Sequence, residues 1–155
     1  MSSAITQRLQ DLGLVLPVLS TPVANYVGYV QTGSLVVISG QLPIKDGAIT
    51  CVGKLGRDVT IEQGKEAAKL CALYLLAQVQ HACGGDLSRV KRCVRVGGFV
   101  NSTDDFVDQP QIVNGASDVL VAVLGDAGRH ARTSLSVNSL PRGAAVEVEA
   151  IFEIE

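Results

Sequence analysis

"HARTSLSVNSLPRGAAVEVEAIFEIE", residues His130 to Glu155, holds two stretches that alternate with the two-residue period of a β-strand. In the first, Leu135 and Val137 share one parity, while Arg132, Ser134, Ser136 and Asn138 share the other. In the second, Val146, Val148, Phe152 and Ile154 point one way and Glu147, Glu149 and Glu153 the other. If the two strands form a hairpin through "LPRG", one sheet face is polar and carries Arg132 together with the glutamates. The apolar face then lies under helices. Arg132 is the unexpected residue, because it sits among small side chains where bulky β-formers would pack better.

Upstream, the pattern alternates between strand and helix. Residues 3 to 12 fit a short helix ending near Gly13. "NYVGYVQTG" and "SLVVISGQ" read as strands split at Thr32-Gly33, and "KDGAITC" as a further turn with Asp46-Gly47 at its tip. From Thr60 to about Cys83 the period is helical: Ile61, Ala67, Ala68, Cys71, Tyr74, Leu75 and Val79 recur at steps of three and four, and Gly84-Gly85 stops the run. "RVKRCVRVGGFV" is a strand from Arg89 to Val100, with Lys91, Arg92 and Arg95 as its exposed decoration. A second long helix begins near Asp108, since Pro110 is tolerated only in a first turn, and ends at Gly125. Ile112, Val113, Ala116, Leu120 and Val123 form its inward face. The order strand, strand, helix, strand, helix, strand, strand predicts an α+β fold, a single mixed β-sheet with two helices packed on one face.

Composition bounds the rest. A chain of 155 residues is expected to form one domain, 1–155, with a proper core. With 47% hydrophobic and 18% charged residues, disorder is not expected. A net charge of −2 offers polyphosphate no general attraction, which disfavours a nucleic-acid partner. Cys51, Cys71, Cys83 and Cys93 show no CxxC pairing and no histidines at metal-ligand spacing, so they read as buried thiols of a reducing compartment. No metal or organic cofactor is called for. Arg8 and Asp11 interrupt the N-terminus, so neither a signal peptide nor a membrane span is expected, and the protein reads as cytoplasmic.

The polar face has two readings. It is a solvated surface with weak cross-strand ion pairs, or it is covered by a second subunit, leaving Arg132 in a cleft whose small neighbours make room for a ligand. His130, on the parity of Arg132, forms a small cationic cluster with Arg129 and reads as a rim residue.

The same C-terminal stretch resembles the signature of the RidA/YjgF family, in which an Ala-Arg pair precedes small residues, a Leu-Pro turn and a Val-Glu-Val-Glu-Ala strand. "NYVGYVQTGSLVVISGQLPIKDG" resembles the family's N-terminal block, and "FVNSTDDF" with Val113-Asn114 the segment between. The matching blocks span most of residues 25 to 153, and the chain looks closest to the longer-chain branch labelled L-PSP endoribonuclease. The resemblance implies a chorismate-mutase-like fold and a homotrimer with clefts between subunits. It also implies hydrolysis of enamine or imine intermediates to 2-oxo acids and ammonia. Carried over by motif, Arg132 grips the substrate carboxylate and Glu147 serves the attacking water. Tyr26, Ser39 and Gly40 line the cleft, and Asn114 is a weaker member. Ser134 stands where many members have cysteine, and the segment from Ser39 to Asn114 looks longer than in compact members.

The chemistry suits these residue types. A guanidinium fork matches a planar carboxylate with two parallel hydrogen bonds. An iminium carbon is already electrophilic, so holding the substrate and orienting a water suffices. A non-catalytic trimer that binds small carboxylates is the alternative. A ribonuclease or translation inhibitor has less support, for the sequence shows no histidine pair, no carboxylate cluster for a metal and few aromatics.

Overall fold

The computed structural model describes residues 3–155; Met1 and Ser2 of the expected 1–155 unit lie outside the described residues. Helix α1 (Ala4–Asp11) is capped by Ser3, whose hydroxyl accepts from the Thr6 amide. Strands β1 (Tyr29–Thr32) and β2 (Leu35–Gln41) form a hairpin, and β3 (Ile44–Lys45) and β4 (Ala48–Ile49) a second, minimal one. Asp46 and Gly47 at its tip both take positive φ, 52° and 79°, the left-handed pair that a tight two-residue turn demands. The first hairpin turns on Gly33-Ser34, one residue later than the sequence pattern placed it, because Thr32 pairs with Leu35.

Helix α2 (Ile61–Ala82) starts in a capping box: Thr60 Oγ1 accepts from the Gln63 amide and Gln63 Oε1 from the Thr60 amide. Strand β5 (Val90–Asn101) follows, then α3 (Gln109–Leu124), β6 (Ala131–Val137) and β7 (Val146–Ile154). The strands lie in the order β1-β2-β7-β5-β6, antiparallel except for the parallel β5–β6 pair. This is a mixed sheet with helices on one face, the α+β architecture that the periodicity predicts.

The core lies between the sheet and α2 and α3. Leu75, Leu76, Val79, Ile112, Val113 and Leu120 come from the helices, and Val36, Val96, Val100, Val148 and Phe152 from the strands. The helices approach closely at small residues: a Cβ on Gly115 would fall 2.1 Å from the Lys65 carbonyl oxygen. A Cβ on Gly98 would fall 2.4 Å from Val113, so that glycine lets α3 settle onto β5. α1 docks against this layer through the buried Leu9, and Arg8 donates to the Val123 carbonyl. Cys71, Cys83 and Cys93 are buried as expected and Cys51 half-buried; burial raises all four thiols, Cys93 up to about 12, which leaves them protonated and unreactive.

One expectation fails. β6 and β7 do not form a hairpin: β5 lies between them, paired with both. The connection from β5 through α3 is a helical crossover, which returns the chain parallel to β5 at the open edge. The "LPRG" segment then crosses the end of β5 to reach β7, and Ala145 there accepts from the Asn101 amide. Parity therefore reverses on β6. Arg132 is level with Val96 and Ser134 with Gly98, so their side chains turn toward α3. Glu147 is level with Phe99 on the face without helices, which Leu135 shares. Arg132 and the glutamates lie on opposite faces.

Candidate functional site

Two groups of the expected residues emerge, and no single chain brings them together. The first stands at the β6 edge. Arg132 reaches toward the first turns of α3, where its Nη1 donates to Asn114 Oδ1 at 2.8 Å and to Ser117 Oγ at 3.2 Å. Its Nη2 reaches the Pro110 carbonyl at 3.5 Å. Pro110 in the first turn and residues 114 and 117 one and two turns on lie along one side of the helix, so α3 supplies a ladder of acceptors facing the strand. A guanidinium has five N–H groups. Those on Nη1 are occupied, one on Nη2 is weakly engaged, and Nε and the second N–H of Nη2 have no partner among the described residues. That free edge is the side that binds a carboxylate with two parallel bonds. Two residues along the strand, the Ser134 hydroxyl is buried without a hydrogen-bond partner. An orphaned buried hydroxyl is costly in a finished structure.

The second group gathers where β2 is irregular. The β2–β7 register slips between Ile38 and Gln41, so Ser39 and Gly40 form a bulge. Ser39 donates its hydroxyl to the Val27 carbonyl at 2.7 Å, and its amide donates to Gly28, tethering the segment that carries Tyr26. Tyr26 thus precedes the ladder, which begins at Tyr29, rather than standing within a strand. It is 59% exposed, and with Ser39, Gly40, Tyr74 and Gln78 it lines a cleft of about 150 Å³. Glu147 lies against this bulge: a Cβ on Gly40 would sit 2.1 Å from its Oε1. The glycine vacates the space the carboxylate occupies. Glu147 is half-buried, and desolvation, with the Glu149 charge second, raises its carboxyl above the ordinary range.

The reading of Glu147 as an intramolecular partner of Arg132 is therefore corrected: they occupy opposite sheet faces with β5 between their strands. His130 is corrected too. It is half-buried, its Nε2 2.9 Å from Ser117 Oγ and its Nδ1 2.6 Å from the Gly128 carbonyl. The cationic cluster dissolves, since burial lowers the imidazole pKa, against the opposing Gly128 hydrogen bond and with help from the Arg132 charge, while Arg129 pairs with Asp126 at 3.7 Å. Lys91, Arg92 and Arg95 are exposed as expected. Ser117 escaped the sequence reading. Its only signal is the i, i+3 spacing from Asn114, which gains meaning once β6 is known to lie beside α3.

Among the described residues no group of three or more His, Cys, Asp or Glu side chains could hold a metal ion. Nor, among the described residues, is any helix long and apolar enough to cross a membrane.

The chain as a whole is similar to known proteins. Residues 6–153 match the family model described as "YjgF/chorismate mutase-like, putative endoribonuclease". Protein TCP17 of Trypanosoma cruzi is 46% identical over 154 residues, 99% of this chain and 96% of that one. The crystal structure of Atu1372 from Agrobacterium tumefaciens, a protein of unknown function, superposes with a TM-score of 0.92 at 46% identity, covering 97% of this chain and 92% of that one. A "putative endoribonuclease" of Shewanella oneidensis gives 0.93 at 34% identity, with 98% and 100% covered.

Proposed function

Because the chain belongs to the YjgF/chorismate-mutase-like family, the RidA/YjgF group its motifs resemble, we propose that it hydrolyses small 2-imino acids, or their enamine tautomers, in clefts between subunits of a homotrimer. Arg132, Asn114 and Ser134 of one subunit face Tyr26, Ser39, Gly40 and Glu147 of the next. The observation that carries this reading is the Arg132 fork, braced on one side by α3 and open on the side that fits a carboxylate. The face of the sheet away from the helices supports the assembly. It exposes Val30, Leu35, Val37 and Leu135 at 37–55%, apolar surface that a second sheet would cover.

The imine carbon is the electrophile. As Glu147 takes a proton from water, the water oxygen bonds to that carbon and the C=N π electrons settle on nitrogen. Glu147 returns that proton to nitrogen, giving a carbinolamine. It then takes the new hydroxyl's proton as the oxygen lone pair closes C=O and passes it to nitrogen as the C–N bond breaks, so ammonia leaves with a 2-oxo acid. A carboxyl raised by desolvation is suited to both transfers. The protonated thiols take no part.

A coupled assay tests the reading. An amino-acid oxidase generates the imine in situ, and ammonia release is followed with and without the protein. Acceleration is expected with wild type, and a loss of at least about a hundredfold with Arg132→Ala, since a charged bidentate anchor is removed. Binding of 2-oxobutanoate without acceleration would leave a carboxylate-binding trimer instead. The ribonuclease reading finds less support: His81, bonded to Tyr29, and His130 stand at opposite edges of the sheet.

A further inference from the structure

The acceptor ladder under Arg132 does not end at Ser117. A guanidinium only donates, so Ser117 Oγ is the acceptor in its 3.2 Å bond with Arg132. Its own proton is then free for its other neighbour, His130 Nε2, 2.9 Å away. For Nε2 to accept, the neutral ring must carry its proton on Nδ1, and Nδ1 meets the Gly128 carbonyl at 2.6 Å. One fixed donor thus assigns the direction of every bond in the chain, from Arg132 through Ser117 and His130 to Gly128. The terminus is rigid. Gly128 is buried against α3, where a Cβ would fall 2.3 Å from the Leu120 carbonyl oxygen.

We propose that Ser117 and His130 are positioning residues for Arg132: His130 orients the Ser117 hydroxyl, and that hydroxyl holds Nη1 so that the Nε–Nη2 edge faces the ligand carboxylate. The proposal rests on the reading of Arg132 as the carboxylate grip. A serine in mid-helix otherwise turns its hydroxyl back onto the carbonyl four residues earlier. His130 competes for that proton and selects the rotamer that faces the strand. Burial and the nearby guanidinium both disfavour the imidazolium, so the ring stays in its accepting form at neutral pH. Neither residue touches the substrate. Their work is to restrict a side chain that otherwise carries large rotamer freedom.

The test uses the full chain, with 2-oxobutanoate as calorimetric probe and KM and kcat measured in the coupled assay. Ser117→Ala and His130→Ala are expected to weaken binding and raise KM about fivefold each, with kcat within about twofold, as loss of uniform binding requires. Ser117→Thr keeps the hydroxyl, and His130→Gln places a carbonyl near the Nε2 position; both are expected to bind within about twofold of wild type. Two patterns would overturn the proposal while sparing the Arg132 reading. In one, the alanine variants bind like wild type while Arg132→Ala does not. In the other, the losses track melting temperature and Thr and Gln fail to rescue. Unchanged binding by Arg132→Ala would instead remove the grip itself, and the proposal with it.

Discussion

The two halves of the site are built on opposite plans. At the β6 edge, Arg132 is braced within its own chain by Asn114, Ser117 and the Pro110 carbonyl, and only its Nε–Nη2 side is left without a strong partner among the described residues. At the β2 bulge, Glu147 accepts no hydrogen bond from the described residues; it occupies the gap at Gly40, and burial raises its carboxyl. A group that must grip gains from having its rotamers fixed beforehand. A group that must take a proton and give it back gains from a moderate affinity, which extra donors would lower. On the proposed reading, binding and proton handling are thereby separated, onto different faces of the sheet and different subunits.

The sharpest way to break this comparison is to disable each half in a different chain. Arg132→Ala and Glu147→Gln are each expected to be inactive as homotrimers. Unfolded together and reassembled at equal amounts, they should regain activity in roughly a quarter of the clefts, those pairing an intact Arg132 with an intact Glu147. Mixtures as inactive as their components would end the interfacial reading. Light scattering of the wild type should give three times the chain mass.

A milder perturbation uses the two glycines. Gly40→Ala puts a methyl where the Glu147 carboxylate lies, against the tip of a flexible side chain. We expect kcat to fall about tenfold or more with melting unchanged, since the base is moved rather than the fold. Gly98→Ala drives its methyl against Val113, next to Asn114. That contact is in the core, so about 1–3 kcal/mol of stability should go, as overpacking costs, and carboxylate binding should weaken as α3 shifts. If Gly40→Ala proved the more destabilising of the two, the picture of a loose acidic half and a packed basic half would be inverted.

How far the sequence reveals all this follows the range of the interactions. Helices α2 and α3 are legible to within a residue because capping and the 3.6-residue period are local: Thr60 with Gln63, Pro110 in the first turn, Gly125 at the end. The class of fold follows from the order of elements. Strand pairing is not local, and the alternation of β6 says which residues share a side but not which side meets the helices. Val137 followed by a Leu-Pro turn reads as a hairpin, yet the crossover through α3 carries β6 to the other side of β5. The relation between Arg132 and Glu147 is hidden from the sequence for that reason alone. Motif resemblance named both residues without needing their geometry, whereas Ser117 belongs to no motif and is visible only in the packed structure.

The smallest effects lie in the pH dependence of stability, where the two halves carry opposite signs. His130 has a lowered folded pKa, so its neutral form is favoured by folding. Stability from this group is complete above the unfolded value of 6.5 and is lost as pH falls through the folded one. Melting curves of wild type and His130→Gln should therefore diverge progressively below pH 6.5, with the wild type losing more. Glu147 has a raised folded pKa, so its ionisation is resisted by folding. The native state then loses stability as pH rises from the unfolded value of 4.5 through the folded one. Glu147→Gln is accordingly expected to melt slightly higher than wild type at neutral pH, with the gap closing below about pH 4. The gain is small because the carboxylate is only half-buried and solvent screens it. A variant that melted lower at neutral pH would show the carboxylate already paired with a cation, and Glu147 could not then be the free base that the hydrolysis requires.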